Sequence, residues 1–254
     1  MFAYPQYFKT LFTADDPYNS NMVFISLTDF CIEIGLINDA EHFAHEVLEV
    51  YGENPVFLKQ LAVINILKNK NEAAGVFLNK LSKDIIQGEW ADDILNQLKT
   101  DTLMTRNIKI QYLRSVMIDK NSTYNPLNNI EETLKDLLEN KHNVMAFEYL
   151  MAYYLLNRDL DKFAENIHRL NDFGYPGIPR HCEEAMLLYM VNTKKKVYLP
   201  GRSINPSTQQ RGRDFFTAMS NNQNNPRALN EILTRDFKDT YFFYYVSNYP
   251  GDVR

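Results

Sequence analysis

Two stretches decide how this chain is read: Ala40-Glu41-His42-Phe43-Ala44-His45-Glu46-Val47 and Ala74-Gly75-Val76-Phe77-Leu78-Asn79-Lys80-Leu81. In each, apolar residues fall at the first, fourth, fifth and eighth positions, which is the spacing of one face of a helix. Ala40 recurs as Ala74, Phe43 as Phe77, Ala44 as Leu78 and Val47 as Leu81, each 34 residues on. The helices before them keep the same register. Leu27 recurs as Leu61, and Gly35 as Asn69, both of the latter being residue types that tolerate a left-handed helix end. One helix pair cannot hide its own apolar face, so such pairs stack and cover one another.

Working outward, Ser20 or Asn21 opens a helix carrying Phe24, Leu27, Cys31 and Ile34 and ending at Gly35. Asn38 opens the next, which closes at Gly52; Asn54-Pro55 opens a third and Asn71 a fourth. Trp90, Ile94 and Leu98 mark one further helix, and Ile108, Tyr112 and Val116 another. Residues 118–129 are polar and asparagine-rich, which reads as a connection. Beyond it Ile130, Leu134 and Leu137 begin a second block. A helix from Asn143 to Leu156 is apolar nearly all round, as expected of a central element. Ala152 and Ala164 have the same separation as Ala62 and Ala74, small residues that allow paired helices to approach closely. Pro179, Asn205-Pro206 and Asn225-Pro226 start three more helices around a loop from Lys194 to Asn205. The chain closes on Tyr241, Phe242, Phe243, Tyr244 and Tyr245, with Tyr249 beyond, read as a last helix covering the apolar end of the array.

The period is that of tetratricopeptide repeats. The expectation is therefore an all-α chain of about 11–13 helices, in antiparallel pairs stacked as a right-handed α-α superhelix. It forms one helical-repeat domain over 1–254, with sub-blocks 20–117 and 130–249 joined by the polar stretch 118–129.

Composition narrows the function classes. With 45% apolar and 23% charged residues the chain is of ordinary globular make-up. Only nine glycines are present, which disfavours folds built on glycine-rich turns. The net charge of −5 and the lack of any basic tract beyond Lys194-Lys195-Lys196 argue against a nucleic-acid partner. No apolar run approaches the ~18 residues of a membrane span, and Met1-Phe2-Ala3-Tyr4-Pro5-Gln6 lacks the basic start of a signal peptide. Cys31 and Cys182 fall on apolar faces and read as buried free thiols.

Catalytic signatures are missing from the sequence. It contains no Gly-x-Gly-x-x-Gly, Gly-Lys-Ser/Thr or Gly-x-Ser-x-Gly, and no cofactor is expected. His42 and His45 lie three apart beside Glu41, Glu46 and Glu49, but without a third ligand they read as a solvated face, and no metal is expected. His181 and Cys182 are adjacent, so on a helix they diverge. The doublets Asp15/Asp16, Asp92/Asp93, Glu131/Glu132 and Glu183/Glu184 diverge for the same reason and receive no role. What remains is a binding or scaffold module, with a protein or peptide partner and a glycan as the other ligand class. Its groove would be lined by the first helix of each pair, with Lys59, Tyr149 and Tyr153 facing it; alternatively, Tyr149 and Tyr153 pack on a neighbouring helix. The other functional reading is an all-α enzyme, or an accessory subunit of a membrane-embedded enzyme or of a transport or assembly system.

Asn143-Val144-Met145-Ala146-Phe147-Glu148-Tyr149-Leu150-Met151-Ala152-Tyr153-Tyr154-Leu155-Leu156 and Ile178-Pro179-Arg180-His181-Cys182-Glu183-Glu184-Ala185-Met186-Leu187-Leu188-Tyr189 resemble segments of an uncharacterised bacterial family. The segment from Phe43 through Leu61-Ala62 to Trp90-Ala91 is similar to it too. Members are large membrane proteins in which a multi-spanning part precedes a soluble tetratricopeptide-like region. The resemblance implies that this chain is that soluble C-terminal portion, held at a bacterial membrane only through the part before it. It brings no activity, substrate or catalytic residue.

Overall fold

Several helix ends are set where the sequence offers glycine, asparagine or proline. In the computed structural model, which describes residues 17–118 and 129–247, Gly35 and Gly52 adopt φ of +93° and +75°, and Asn69 adopts +58°. Only residues that accept left-handed backbone serve well there. Asn54 Oδ1 accepts from the Val56 N–H at 2.9 Å, capping a helix whose first residue is Pro55. Asn205 and Asn225 cap in the same way ahead of Pro206 and Pro226. The result is an all-α fold, with thirteen α-helices and no strand among the described residues. It divides into two compact units, Met1–Tyr149 and Leu150–Arg254. The connection expected at 118–129 lies, for residues 119–128, outside the described residues.

The first unit contains α1 (Pro17–Ile34), α2 (Ile37–Tyr51), α3 (Pro55–Leu67), α4 (Asn71–Leu81), α5 (Gly88–Thr100), α6 (Ile108–Val116), α7 (Ile130–Leu137) and the start of α8 (Val144–Leu156). From α1 to α5 each helix packs on the next, and α1 also lies against α3. Ala40, Ala44, Ala62 and Ala74 are fully buried between them, so the backbones approach closely, while Leu61, Ile64, Leu67 and Leu78 fill the space around. Each such leucine or isoleucine stabilises the fold by about 1.5–3 kcal/mol. α3 buries most of its residues because it has neighbours on several sides.

Two expected caps are corrected. α2 begins at Ile37 with no side-chain cap, and Asn38 Oδ1 instead accepts from Lys68 Nζ (2.7 Å) at the end of α3. Asn71 is the first residue of α4, not its cap, and its Nδ2 donates to the Thr102 carbonyl at 2.7 Å. α1 starts at Pro17, ahead of Ser20 and Asn21.

After α5 the succession changes, because α6 packs on both α1 and α3. Its Arg114 guanidinium donates to the carbonyls of Ile66 (2.6 Å) and Leu67 (3.4 Å) at the end of α3. Lys109 Nζ lies 2.6 Å from Glu33 Oε1 on α1. A Cβ on Gly35 would fall 2.5 Å from the Val116 carbonyl oxygen, so only glycine admits this approach. The Ile118 N–H donates to the Gly35 carbonyl at 3.1 Å. Asn143, 0% exposed, completes the junction: Nδ2 donates to the carbonyls of Ile34 (2.8 Å) and Val116 (3.2 Å), and Oδ1 accepts from the Ala146 N–H (3.0 Å). One amide thereby ends α1 and α6 and begins α8.

The second unit holds the end of α8, then α9 (Leu160–Asn166) with a 3-10 turn (Ile167–Asn171), α10 (Arg180–Thr193), α11 (Pro206–Asn221), α12 (Pro226–Asp236) and α13 (Tyr241–Val246). α10 is its hub, packing on α9, α11 and α13. Ala152 and Ala164 are only half-buried, unlike Ala62 and Ala74 in the first unit. The aromatic α13 turns inward. Phe242 is fully buried and stacks on Phe215 with ring centroids 5.1 Å apart. The hydroxyls of Tyr241 and Tyr244 donate to the Leu155 and Leu156 carbonyls, both at 2.8 Å, pairing the end of α8. Tyr249 lies outside the described residues. Among the described residues no helix is long and apolar enough to cross a membrane.

Candidate functional site

A row of polar and aromatic groups crosses α1, α3 and α5 in the first unit. Because Asn54-Pro55 fixes where α3 begins, Lys59 and Gln60 fall in its second turn, pointing toward neighbours on opposite sides. Gln60 is buried, and its Nε2 donates to Asp29 Oδ1 (2.7 Å) and the Ile25 carbonyl (3.0 Å) of α1. Its Oε1 is buried with no hydrogen-bond partner. Lys59 Nζ donates to Gln87 Oε1 at 2.9 Å and sits 4.5 Å from the centroid of the Trp90 ring. That cation–π contact contributes about 0.5–1 kcal/mol at an accessible site. Gln87 is placed by Asp84, whose Oδ1 accepts from the backbone N–H groups of Ile86 (2.9 Å) and Gln87 (2.8 Å). Burial of the carboxyl raises the pKa of Asp29, although the residue as a whole stays exposed; the Gln60 hydrogen bond and Lys59 pull it down, and Glu33 adds to the rise.

Of the residues singled out from sequence, Lys59 lies in this row. Tyr149 is half-buried in the first unit, its ring edge-on to Phe30 of α1 at 5.2 Å. Tyr153 is half-buried in the second unit, edge-on to Tyr154 at 6.0 Å. Sequence reasoning missed Asp29, Gln60, Gln87 and Trp90 as members of one site. A signal existed: Met22, Val56 and Trp90 share one register position of the 34-residue period, and all three reach solvent.

Several of the other chemistry-bearing groups have structural partners. His42 Nε2 lies 3.2 Å from Glu46 Oε1 on an exposed face, while Glu41 pairs with Lys68 and Lys70. Both lysines outweigh the burial that would raise the Glu41 carboxyl, and hold its pKa below the usual range. Among the described residues no group of three or more His, Cys, Asp or Glu is placed to hold a metal ion. The carboxylate doublets behave differently from one another: Asp92 and Asp93 are exposed, Glu183 and Glu184 are buried, and Asp15/Asp16 lies outside the described residues.

Cys31 and Cys182 are free and buried. Burial pushes both thiols up, Cys182 to about 12 with Glu183 and Glu184 adding to the effect. Since the thiolate is the reactive form, neither should react with a disulfide reagent at neutral pH faster than about a thousandth of the rate of a free cysteine. A time course with and without urea checks this, and rapid modification of either thiol in the folded chain contradicts it.

The profile of the family of unknown function DUF6057 matches residues 1–248. No curated protein and no solved structure gives a match.

Proposed function

The chain belongs to the DUF6057 family, and from that premise we propose that it is a protein-interaction or scaffold module, which takes an extended peptide segment of a partner across the first-helix side of α1, α3 and α5. One observation carries this reading. Half-buried Trp90 and Lys59 and exposed Asp29 offer an aromatic face, a cation and a carboxylate in one row, tied together by the buried side chain of Gln60, which donates to Asp29. An extended chain supplies backbone N–H donors at regular intervals and side chains that stack on an aromatic, so it matches such a row. The 34-residue period of the sequence supports the same reading, since pairs stacked in the tetratricopeptide manner would place their first helices side by side. As the sequence resemblance implies, we further propose that in the intact protein a preceding multi-spanning part holds this module at a bacterial membrane.

Site-specific photo-crosslinking tests the row. A photoreactive residue at Lys59 of the full-length protein in cells should give a discrete adduct. The same residue at Val76, 57% exposed on α4, should give none. Adding Trp90→Ala to the Lys59 probe should cut the adduct at least about fivefold, the effect of removing one aromatic contact. Equal labelling at both positions counts against the site.

A further inference from the structure

Within the second unit, α10, α11 and the connection between them enclose a groove of about 450 Å³, in the range of small-ligand pockets. Met186, Leu187 and Met190 of α10, Val197 and Leu199 of the connection, and Phe216 of α11 give it apolar walls. Gly212 keeps its inner end tight, since a Cβ there would lie 3.0 Å from Leu187 Cδ1. The groove's described lining contains no carboxylate but two arginines, Arg202 and Arg213. Arg213 is engaged, its Nε and Nη2 both donating to Gln210 Oε1 at 3.0 and 2.5 Å. Arg202 differs. Its Nε donates to Asn171 Oδ1 at 3.0 Å, which orients the guanidinium, while Nη1 is buried with no hydrogen-bond partner.

A guanidinium N–H taken out of water and left unpaired is a large unmet cost, and an anion is the group that best relieves it. The remaining surface is hydrocarbon. We propose that this groove binds a carboxylate-headed apolar small molecule of the single-chain fatty-acid class, with its carboxylate on Arg202 and its chain along Val197, Leu199, Leu187 and Phe216. One guanidinium with an unpaired N–H, not a cluster of cations, matches a singly charged head in preference to a phosphate. The site shares no residue with the row on α1, α3 and α5 and does not depend on it.

Calorimetric titration of the whole chain with decanoate, below its micelle-forming concentration, tests the assignment. Decanoate should saturate one site per chain, and decan-1-ol should bind at least about tenfold more weakly for want of the charge-assisted bond. Arg202→Met should reduce decanoate to the affinity of decan-1-ol and leave the alcohol unchanged. Val197→Trp, a substitution on the connection outside the core, should abolish binding of both. Arg235→Met removes an exposed guanidinium held by Asp236 and should alter neither. Undiminished decanoate binding by Arg202→Met overturns the proposal, as does uptake of several decanoates per chain. Sedimentation of the chain with phosphatidylglycerol vesicles, without saturable decanoate binding, overturns it too and assigns the surface to a bilayer.

Discussion

Asn143→Ala is expected to cost about 3–5 kcal/mol of unfolding free energy, because three backbone groups lose their partner inside a closed junction. The carbonyls of Ile34 and Val116 lose a donor, the Ala146 N–H loses an acceptor, and no water replaces a side chain that is 0% exposed. Gly35 leaves little room for relaxation toward α6, since even a Cβ there would fall 2.5 Å from the Val116 carbonyl oxygen. Asn143→Asp provides the sharper control. It keeps the acceptor for Ala146 but turns a donor into a charge facing two carbonyl oxygens, so it should be at least as damaging as alanine. Urea unfolding of the two variants against the parent chain measures this. A loss below about 1 kcal/mol for both, the level of an exposed cap, would mean that the junction does not hold the first unit together.

The second large effect is expected at Glu183 and Glu184, which tie α10 to two different helices. Glu183, 5% exposed, accepts from the Asn205 N–H (2.9 Å) and Thr208 Oγ1 (2.5 Å) at the start of α11. Glu184, 0% exposed, accepts from the Tyr241 N–H (2.6 Å) at the start of α13 and lies 3.0 Å from His181 Nδ1 and 3.5 Å from Arg180 Nε. Removing either carboxylate strands buried donors and, at Glu184, takes away a partner of the Arg180 guanidinium, so each alanine variant should cost about 3–5 kcal/mol. Asp92→Ala, in an exposed doublet of the same kind, should change stability by less than about 0.5 kcal/mol. Melting curves of the three variants separate the cases, and equal shifts contradict the assignment.

The contrast between these doublets shows where sequence reading ends. A pair of acids on a helix looks the same whether it faces water or the starts of two other helices, because the helix starts that Glu183 and Glu184 hold lie 22 to 57 residues away. Local signals fared better. Asn54-Pro55, Asn205-Pro206 and Asn225-Pro226 each begin a helix as their residue chemistry requires. The 34-residue period marks α1 to α4 because it records contacts between successive helices. The return of α6 onto α1 and α3 left no periodic trace, being made by Arg114, Lys109 and Gly35 across long separations. Asn38 and Asn71 were misleading for a related reason: each is drawn to a distant partner, Lys68 and Thr102, instead of its own helix end. Register alone singled out Lys59, whereas its contacts with Gln87 and Trp90 depend on the turn set by Asp84 and left no mark in the local sequence.

The arrangement of the first unit, a succession of helices from α1 to α5 with α6 folded back across the ends of α1 and α3, is open to one direct measurement. Zero-length carbodiimide coupling joins only lysines and carboxylates already in contact, and mass spectrometry reads out the pairs. The account predicts Lys70 joined to Glu41, which reports α2 packed on the α3–α4 turn, together with Lys109 joined to Glu33, which reports the return of α6. Lys109 coupled only to acids close to it in sequence, with the Lys70–Glu41 link retained, would contradict the fold-back.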